Sequence, residues 1–194
     1  MMDTHPLIAH IRTHVDMSDA DAEKVLSLIK TKKFKKGAFV VQAGDVCREQ
    51  SFVIKGCLKA FRADAKGKEH VVFFAVEGWW IGDLGSFIAQ KPADYSVQCL
   101  EDCELLQLHH GVMDQLYHEV PCMERFSRLL LQRSYVAAQR RAVDHISIPA
   151  KDLFIQFSNE YPHLLQRLPQ YLIASYLGIT PQFLSTIRRE LAQE

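Results

Sequence analysis

The side chains best suited to chemistry in this chain gather near its C-terminal end, in QYLIASYLGITPQFLSTIRR, residues 170–189. At helical spacing Gln182, Ser185 and Thr186 share one polar, uncharged face. Groups of this kind read base edges in the major groove of DNA. Gln182 suits a bidentate contact to adenine, and Ser185 and Thr186 suit base edges or thymine methyls. Arg188 and Arg189, the Thr180 hydroxyl, and Gln170 and Tyr171 are candidates for phosphate contacts, which position a protein on a duplex without reading its sequence.

Two short helices and a tight turn would have to position these groups. A first helix over Tyr171–Leu177 carries apolar Leu172, Ile173, Tyr176 and Leu177, and Ala174 stands where steeply crossing helices leave no room for a larger side chain. Gly178 supplies the left-handed backbone of the turn. Thr180 is an N-cap, and Pro181 occupies the first helical position, where its missing N–H costs nothing. The second helix is expected to bury Phe183, Leu184 and Ile187. This is a helix-turn-helix pattern. An ordinary corner between two helices would explain the apolar residues, but not the polar face followed by paired arginines.

Other constellations are weaker. Five cysteines (47, 57, 99, 103 and 122) form no CxxC pair. Cys99 and Cys103, four apart in a strand-like segment, could share a face, and plain buried thiols are expected. His10 and His14 stand at i, i+4 with no third ligand in view, so no metal is expected. His109 and His110 would point to opposite sides of a strand, and His70 stands alone. No Ser-His-Asp or Cys-His arrangement can be built, and the chain is not expected to be an enzyme.

With 48% hydrophobic and 24% charged residues in 194, the composition is globular. Net charge is zero, but its distribution is uneven. Through residue 124 there are fourteen Lys and Arg against eighteen Asp and Glu; after it there are nine against five. The basic excess accompanies the candidate DNA-binding segment. No apolar run is long enough to span a bilayer, and MMDTHPLIAHIRTH has no signal-peptide pattern, so a cytoplasmic protein is expected.

In chain order, helical spacing is expected over Pro6–Val15. A second helix follows, capped by Ser18, with acids at 19, 21 and 23 and with Val25, Leu26, Leu28 and Ile29 buried. Lys30–Lys36 reads as a solvated connector and first edge strand. From Gly37 to Leu108, short β-rich runs are cut by Gly44–Asp45, Gly56, Lys66–Gly67, Gly78 and Lys91–Pro92. Such recurring turn signals mark an antiparallel sandwich or barrel, with a hairpin loop at Asp64–Lys68. A short helix at His110–Tyr117 stops before Pro121. A long one follows from Met123 to about His145, with Leu129, Val136 and Val143 seven apart and Phe126, Leu130 and Ala137 on the adjoining seam. That repeat predicts pairing with another helix, as a short dimer seam interrupted by Arg133, Arg140 and Arg141. Pro149 opens a helix over Ala150–Tyr161, Pro162 closes it, and a short apolar turn over His163–Leu168 leads into the C-terminal motif. The expected class is α+β, with a β-barrel domain over 1–122, a dimerisation helix over 123–147 and a helix-turn-helix domain over 148–194.

The order β-barrel, long helix, helix-turn-helix resembles that of the catabolite-activator and fumarate-nitrate-regulator (CRP/FNR) superfamily of bacterial transcription factors. Gly44–Asp45, FVIKGCLKAF around Gly56, GDLGSF at Gly82–Phe87 and the C-terminal motif carry the likeness, and LPQYLIASYLGITPQFLSTIRREL is most similar to a branch common in Bacteroidetes. The resemblance implies a cyclic-nucleotide-binding-domain-like jelly roll, a homodimer, double-stranded DNA as partner, and RNA polymerase as a further partner of the family's kind. It also implies an effector pocket at Gly82, Asp83, Leu84, Gly85, Ser86, Tyr95 and Ser96. In relatives that bind cyclic AMP, a Glu takes the ribose and an Arg-Ser or Arg-Thr pair takes the phosphate. Here Asp83 and Tyr95–Ser96 occupy those places. Without the arginine fork, cyclic-nucleotide binding is not expected; a different small-molecule effector is left open, with Trp79, Trp80, Phe73, Phe74 and Phe87 available to line a site. Absence of cysteines from residues 1–46 excludes the family's N-terminal iron–sulfur sensor. The β-hairpin wing usual after the recognition helix is expected to be reduced or absent, since only Glu190–Glu194 follow Arg189. Relatives often carry Arg at the positions of Pro181 and Thr186 and Glu at Gln182, so their operator sequence does not transfer. A competing expectation is a ligand-binding barrel whose helical tail docks a protein partner.

Overall fold

The computed structural model describes residues 5–193. The chain opens with helices α1 (Pro6–Arg12) and α2 (Asp19–Ser27). The Ser18 hydroxyl accepts from the Asp21 amide at 3.1 Å and donates to the Asp21 carboxylate at 2.8 Å, so the cap is reciprocal. Asp19 and Asp21 also place negative charge at the positive end of the helix dipole. The helix ends sooner than its sequence suggests. Leu28 is the C-cap, and Ile29 already begins strand β1 (Ile29–Phe34). Leu and Ile fit the apolar positions of either period; pairing of Ile29 with Leu108 makes the segment a strand.

Strands β2 (Phe39–Val41), β3 (Glu49–Lys55), β4 (Leu58–Ala63), β5 (Glu69–Ala75) and β6 (Trp80–Ile81) follow. Then come helix α3 (Leu84–Ala89) and strands β7 (Ser96–Cys99) and β8 (Cys103–His109). They form two four-stranded sheets, ordered β1-β8-β3-β6 and β2-β7-β4-β5. The antiparallel register sets Leu58 against Cys99 and Ala60 against Val97, and all four are buried. Strand β1 is an edge, and its exposed Lys30, Lys32 and Lys33 discourage further pairing. Gly56, between β3 and β4, has φ +109°; a Cβ there would stand 2.5 Å from the Cys103 sulfur and 3.0 Å from the Asp102 carbonyl, so only glycine fits.

Leu106 and Leu108 of β8, with Phe52 of β3, pack under a layer of helices. Their partners include Leu7, Ile8 and Ile11 of α1, Val25 of α2, Leu116 of α4 (Met113–Glu119) and Met123 and Phe126 of α5 (Cys122–Ser147). Phe126 is 2% exposed, and truncation of such a ring to Ala costs about 3–5 kcal/mol.

The chain continues through α6 (Ala150–Glu160), α7 (Pro162–Arg167), α8 (Gln170–Tyr176) and α9 (Pro181–Leu191). Residues 163–168, expected as a turn, are largely helical. Pro162 occupies the first helical position, where it starts α7 as well as ending α6. Among the described residues no strand follows His109. The molecule divides into two compact units, one running up to Arg62 and including Phe73–Arg133, the other comprising Ala63–Val72 and the chain from Ser134 onward. The division falls inside α5, not at its ends, and the tip of the β4–β5 hairpin belongs with the C-terminal helices.

Candidate functional site

In the C-terminal unit, α8 and α9 are joined by a turn in which Gly178 has φ +70°. Leu172, Ile173, Ala174 and Leu177 are buried on one side, and Leu184 and Ile187 on the other. Ala174 is fully buried, as the close helix crossing requires. The Thr180 hydroxyl caps α9 by accepting from the Phe183 amide at 3.2 Å, and Pro181 starts the helix. Gln170, Tyr171, Thr180, Pro181, Gln182, Ser185, Arg188 and Arg189 are exposed, and Thr186 is half-buried. The Ser185 hydroxyl donates to the Pro181 carbonyl at 3.0 Å and the Thr186 hydroxyl to the Gln182 carbonyl at 3.3 Å. Phe183 is not buried with Leu184 and Ile187 but 50% exposed. At 3.6 residues per turn it lies beside the α8-facing stripe, next to Thr186 one turn on.

Helix α8 is held from two sides within this unit. The Ser175 hydroxyl donates to the Glu69 carbonyl and accepts from the Val71 amide, each at 3.0 Å. Edge strand β5 thus has two backbone groups satisfied by one side chain. Next to it, the Arg141 guanidinium of α5 lies 4.0 Å from the centre of the Tyr176 ring, with His145 also against that ring. Burial lowers the Arg141 and His145 pKa values. Sequence reasoning gave Arg141 only the role of interrupting a coiled coil; the stacking joins residues 35 positions apart and leaves no local signal.

Helix α5 carries two apolar faces. Phe126, expected on a dimer seam, is instead part of its own chain's core, because the inward face of α5 packs under the sheet with Met123 and half-buried Leu130. Leu129, also expected on the seam, packs half-buried against the same core, and the outward face runs through exposed Val136 and Val143 and extends to Ile146, which is 89% exposed. With Gln132 and Gln139 these positions alternate at three and four residues, the spacing of a coiled-coil seam. Ala137 is exposed but lies off this face.

The segment Gly82–Ser86 forms the start of α3, with Asp83 as its N-cap. Its polar groups are committed internally. The Asp83 carboxylate is 4% exposed and accepts from the Ser86 amide at 2.9 Å and the Asp94 amide at 2.8 Å through separate oxygens. The Ser86 hydroxyl donates to the Lys91 carbonyl and accepts from the Cys47 amide at 2.9 Å. The Tyr95 phenol donates to the Gly82 carbonyl at 2.9 Å, and burial, with the Asp83 charge nearby, pushes its pKa up. The Ser96 hydroxyl accepts from the Ala43 amide at 3.0 Å. Leu84 is exposed, and Gly85 lies 3.4 Å, by its virtual Cβ, from the Asp83 carboxylate. These bonds link Asp83 to Ser86 and Tyr95 to Gly82, whereas the Ser96 hydroxyl is engaged by Ala43 and Leu84 faces solvent.

The other reactive groups are tied up locally. His10 and His14 lie with ring centres 5.0 Å apart and planes tilted by 48°, and an Arg133 guanidinium nitrogen stands 2.5 Å from His14 Nε2. Cys99 and Cys103 lie on separate strands across the 100–102 bend, yet their thiols meet, and this hydrogen bond together with burial raises the Cys99 pKa. Among the described residues no three His, Cys, Asp or Glu side chains gather as a metal site. No helix among them is long and apolar enough to cross a membrane.

Comparison with known proteins agrees with this geometry. Residues 31–119 match the family model described as Cyclic nucleotide-binding domain. The cAMP-activated global transcriptional regulator CRP of Salmonella typhimurium is 23% identical over 124 residues, covering 63% of this chain and 59% of that protein; the same figures hold for its counterpart in Klebsiella aerogenes. The chain therefore spans about three fifths of the length of the curated relatives it matches. Among solved structures, the c-di-GMP responsive global regulator CLP of Xanthomonas campestris superposes with a TM-score of 0.71 at 16% identity, covering 91% of this chain and 92% of CLP. The Catabolite Activator Protein of Thermus thermophilus gives 0.59 at 20%, over 91% and 84%. The fold is thus mixed α and β, with an antiparallel core of cyclic-nucleotide-binding type.

Proposed function

We propose that this chain is a homodimeric, DNA-binding transcription regulator. The observation that carries the reading is the Thr180-capped helix α9. It is held on buried α8 by Leu184 and Ile187 and turns Gln182, Ser185 and Thr186 outward ahead of Arg188 and Arg189. In this reading α8 and α9 are a helix-turn-helix and α9 enters the major groove. Gln182 contacts a base, while Arg188, Arg189, Thr180, Gln170 and Tyr171 hold phosphates. The outward seam of α5, Val136–Val143–Ile146, pairs with its copy, so that two recognition helices read a palindrome about one DNA turn apart. RNA polymerase is the further partner such a regulator would engage.

The sensor does not take a cyclic nucleotide by the usual contacts. Asp83 has both oxygens committed to backbone amides, Ser86 both donates and accepts within the protein, and the cation a cyclic phosphate would meet is replaced by Tyr95. Titration calorimetry with cyclic AMP is expected to give no heat of binding, and saturable binding would overturn this part.

The second reading, a tail that docks a protein, draws on exposed Phe183 and Tyr171. The paired arginines and the polar face favour DNA. Gel shift of the purified full chain on random-sequence duplex separates the two. A retarded complex that weakens with salt is expected, and no complex at any salt would refute the proposal.

A further inference from the structure

We infer that Phe183 is a base-reading residue and that each half-site it recognises has an A·T core, read through thymine methyl and adenine rather than guanine. This rests on the DNA-binding reading above and names the chemistry of that same surface. Three observations carry it.

First, Phe183 is 50% exposed in the first turn of α9, although its sequence position looked like core. Half of its ring stays open to solvent, while Leu184 and Ile187 beside it are buried. Second, the two hydroxyls on this face have spent their donor hydrogens inside the helix, Ser185 on the Pro181 carbonyl and Thr186 on the Gln182 carbonyl. With its hydroxyl turned back, Thr186 offers a methyl group, and it stands one turn from Phe183 on neighbouring surface. Third, residues 180–187 contain no Arg or Lys, the side chains that pair bidentately with guanine O6 and N7. With Arg188 and Arg189 on phosphates, as in the reading above, what remains for base recognition is one primary amide, Gln182, whose donor and acceptor match adenine N6 and N7, and an apolar strip of Phe183 and the Thr186 methyl. Thymine carries the one methyl group presented in the major groove, so that strip fits thymine and the amide fits adenine.

The test uses the full-length chain throughout. An operator is selected from a random duplex library, and each thymine in it is replaced singly by deoxyuridine, which removes the 5-methyl group and nothing else. The wild type is expected to bind about four-fold more weakly when one particular thymine per half-site loses its methyl, the worth of burying one such group. Phe183→Ala is expected to bind the thymine and uracil operators equally, and Phe183→Leu to retain part of the difference. Thermal melting and sedimentation of both variants establish that they fold and assemble as the wild type does. Two results would overturn the inference while leaving DNA binding intact: a wild-type thymine-to-uracil ratio of one at every position, or a selected core of G·C pairs. A ratio unaffected by Phe183→Ala would remove Phe183 from the readout. Failure of the chain to bind any duplex would overturn the DNA-binding reading and this inference with it.

Discussion

The Arg141 guanidinium stacks on the Tyr176 ring at 4.0 Å, joining the long helix α5 to the first helix of the α8–α9 pair. Arg141 therefore points away from the outward seam of α5, which explains how an arginine is tolerated on a helix proposed to pair with its copy. Cation–π stacking at a site shielded from water is worth about 1–2 kcal/mol. Arg141→Leu is expected to lower the melting temperature of the C-terminal unit and to weaken operator binding without changing its sequence preference. Unaltered melting and affinity would show the contact to be incidental.

Ser175 makes a second tie to α8, and Ser175→Ala leaves the Glu69 carbonyl and the Val71 amide of β5 without that hydroxyl. A loss of about 1–2 kcal/mol is expected, the worth of two ordinary hydrogen bonds. Native-state hydrogen exchange reads it locally. The Val71 amide should exchange several-fold faster in the variant, while core amides of β8 keep their rates.

Asp83 holds two backbone amides from a nearly closed position. Asp83→Ala is expected to destabilise the barrel by about 2–4 kcal/mol, and Asp83→Asn, which keeps one acceptor oxygen, by less. Urea unfolding followed by tryptophan fluorescence orders the three proteins. Equal stability of wild type and Asp83→Ala would show that the carboxylate is not structural.

His10 supplies a pH dependence. Its folded pKa lies below the ordinary 6.5, because burial, then His14, then Arg133 disfavour its positive form. The unfolded chain therefore takes up that proton first as pH falls. Stability from this group is complete above pH 6.5, declines below it, and levels off once pH passes under the folded value. His10→Phe should reduce the slope of stability against pH in that window. It should leave the contribution of His145, whose value is lowered for the same first reason, burial, in the other unit. An unchanged slope would contradict the assignment.

What could be read from the sequence was what local physics decides. Ser18, Gly178, Thr180 and Pro181 each act on backbone within a few residues, and each does in the structure what its type demands. Clustering of Gly82–Ser86 with Tyr95 came from resemblance, not from spacing. The misreadings have a common cause. Leu28 and Ile29 are apolar in either period, so only pairing with β8 could end the helix. Residues 163–168 are bracketed by prolines and too short to show a period. Phe126 and Phe183 lie beside the stripes their neighbours define, and periodicity fixes a face more closely than it fixes the flank. Links such as Arg141–Tyr176 and Ser175–Val71 join residues far apart in the chain through ordinary side chains, which no motif announces.

The seam on α5 offers a direct test of assembly. Val143→Glu sets a carboxylate into the stripe formed by Val136 and Ile146, which are 63% and 89% exposed in the single chain. Sedimentation equilibrium is expected to find a dimer for the wild type and a monomer for the variant, which should still melt cooperatively. A variant that stays dimeric would place the interface elsewhere.

Binding of DNA by α9 can be measured by titrating duplex with protein over a range of salt concentrations, for wild type and Arg188→Ala. Log affinity should fall linearly with log salt, and removing Arg188 should flatten the slope by about one and weaken operator and random duplex alike. Binding that does not depend on salt, or a slope that Arg188→Ala leaves unchanged, would contradict binding of DNA by α9.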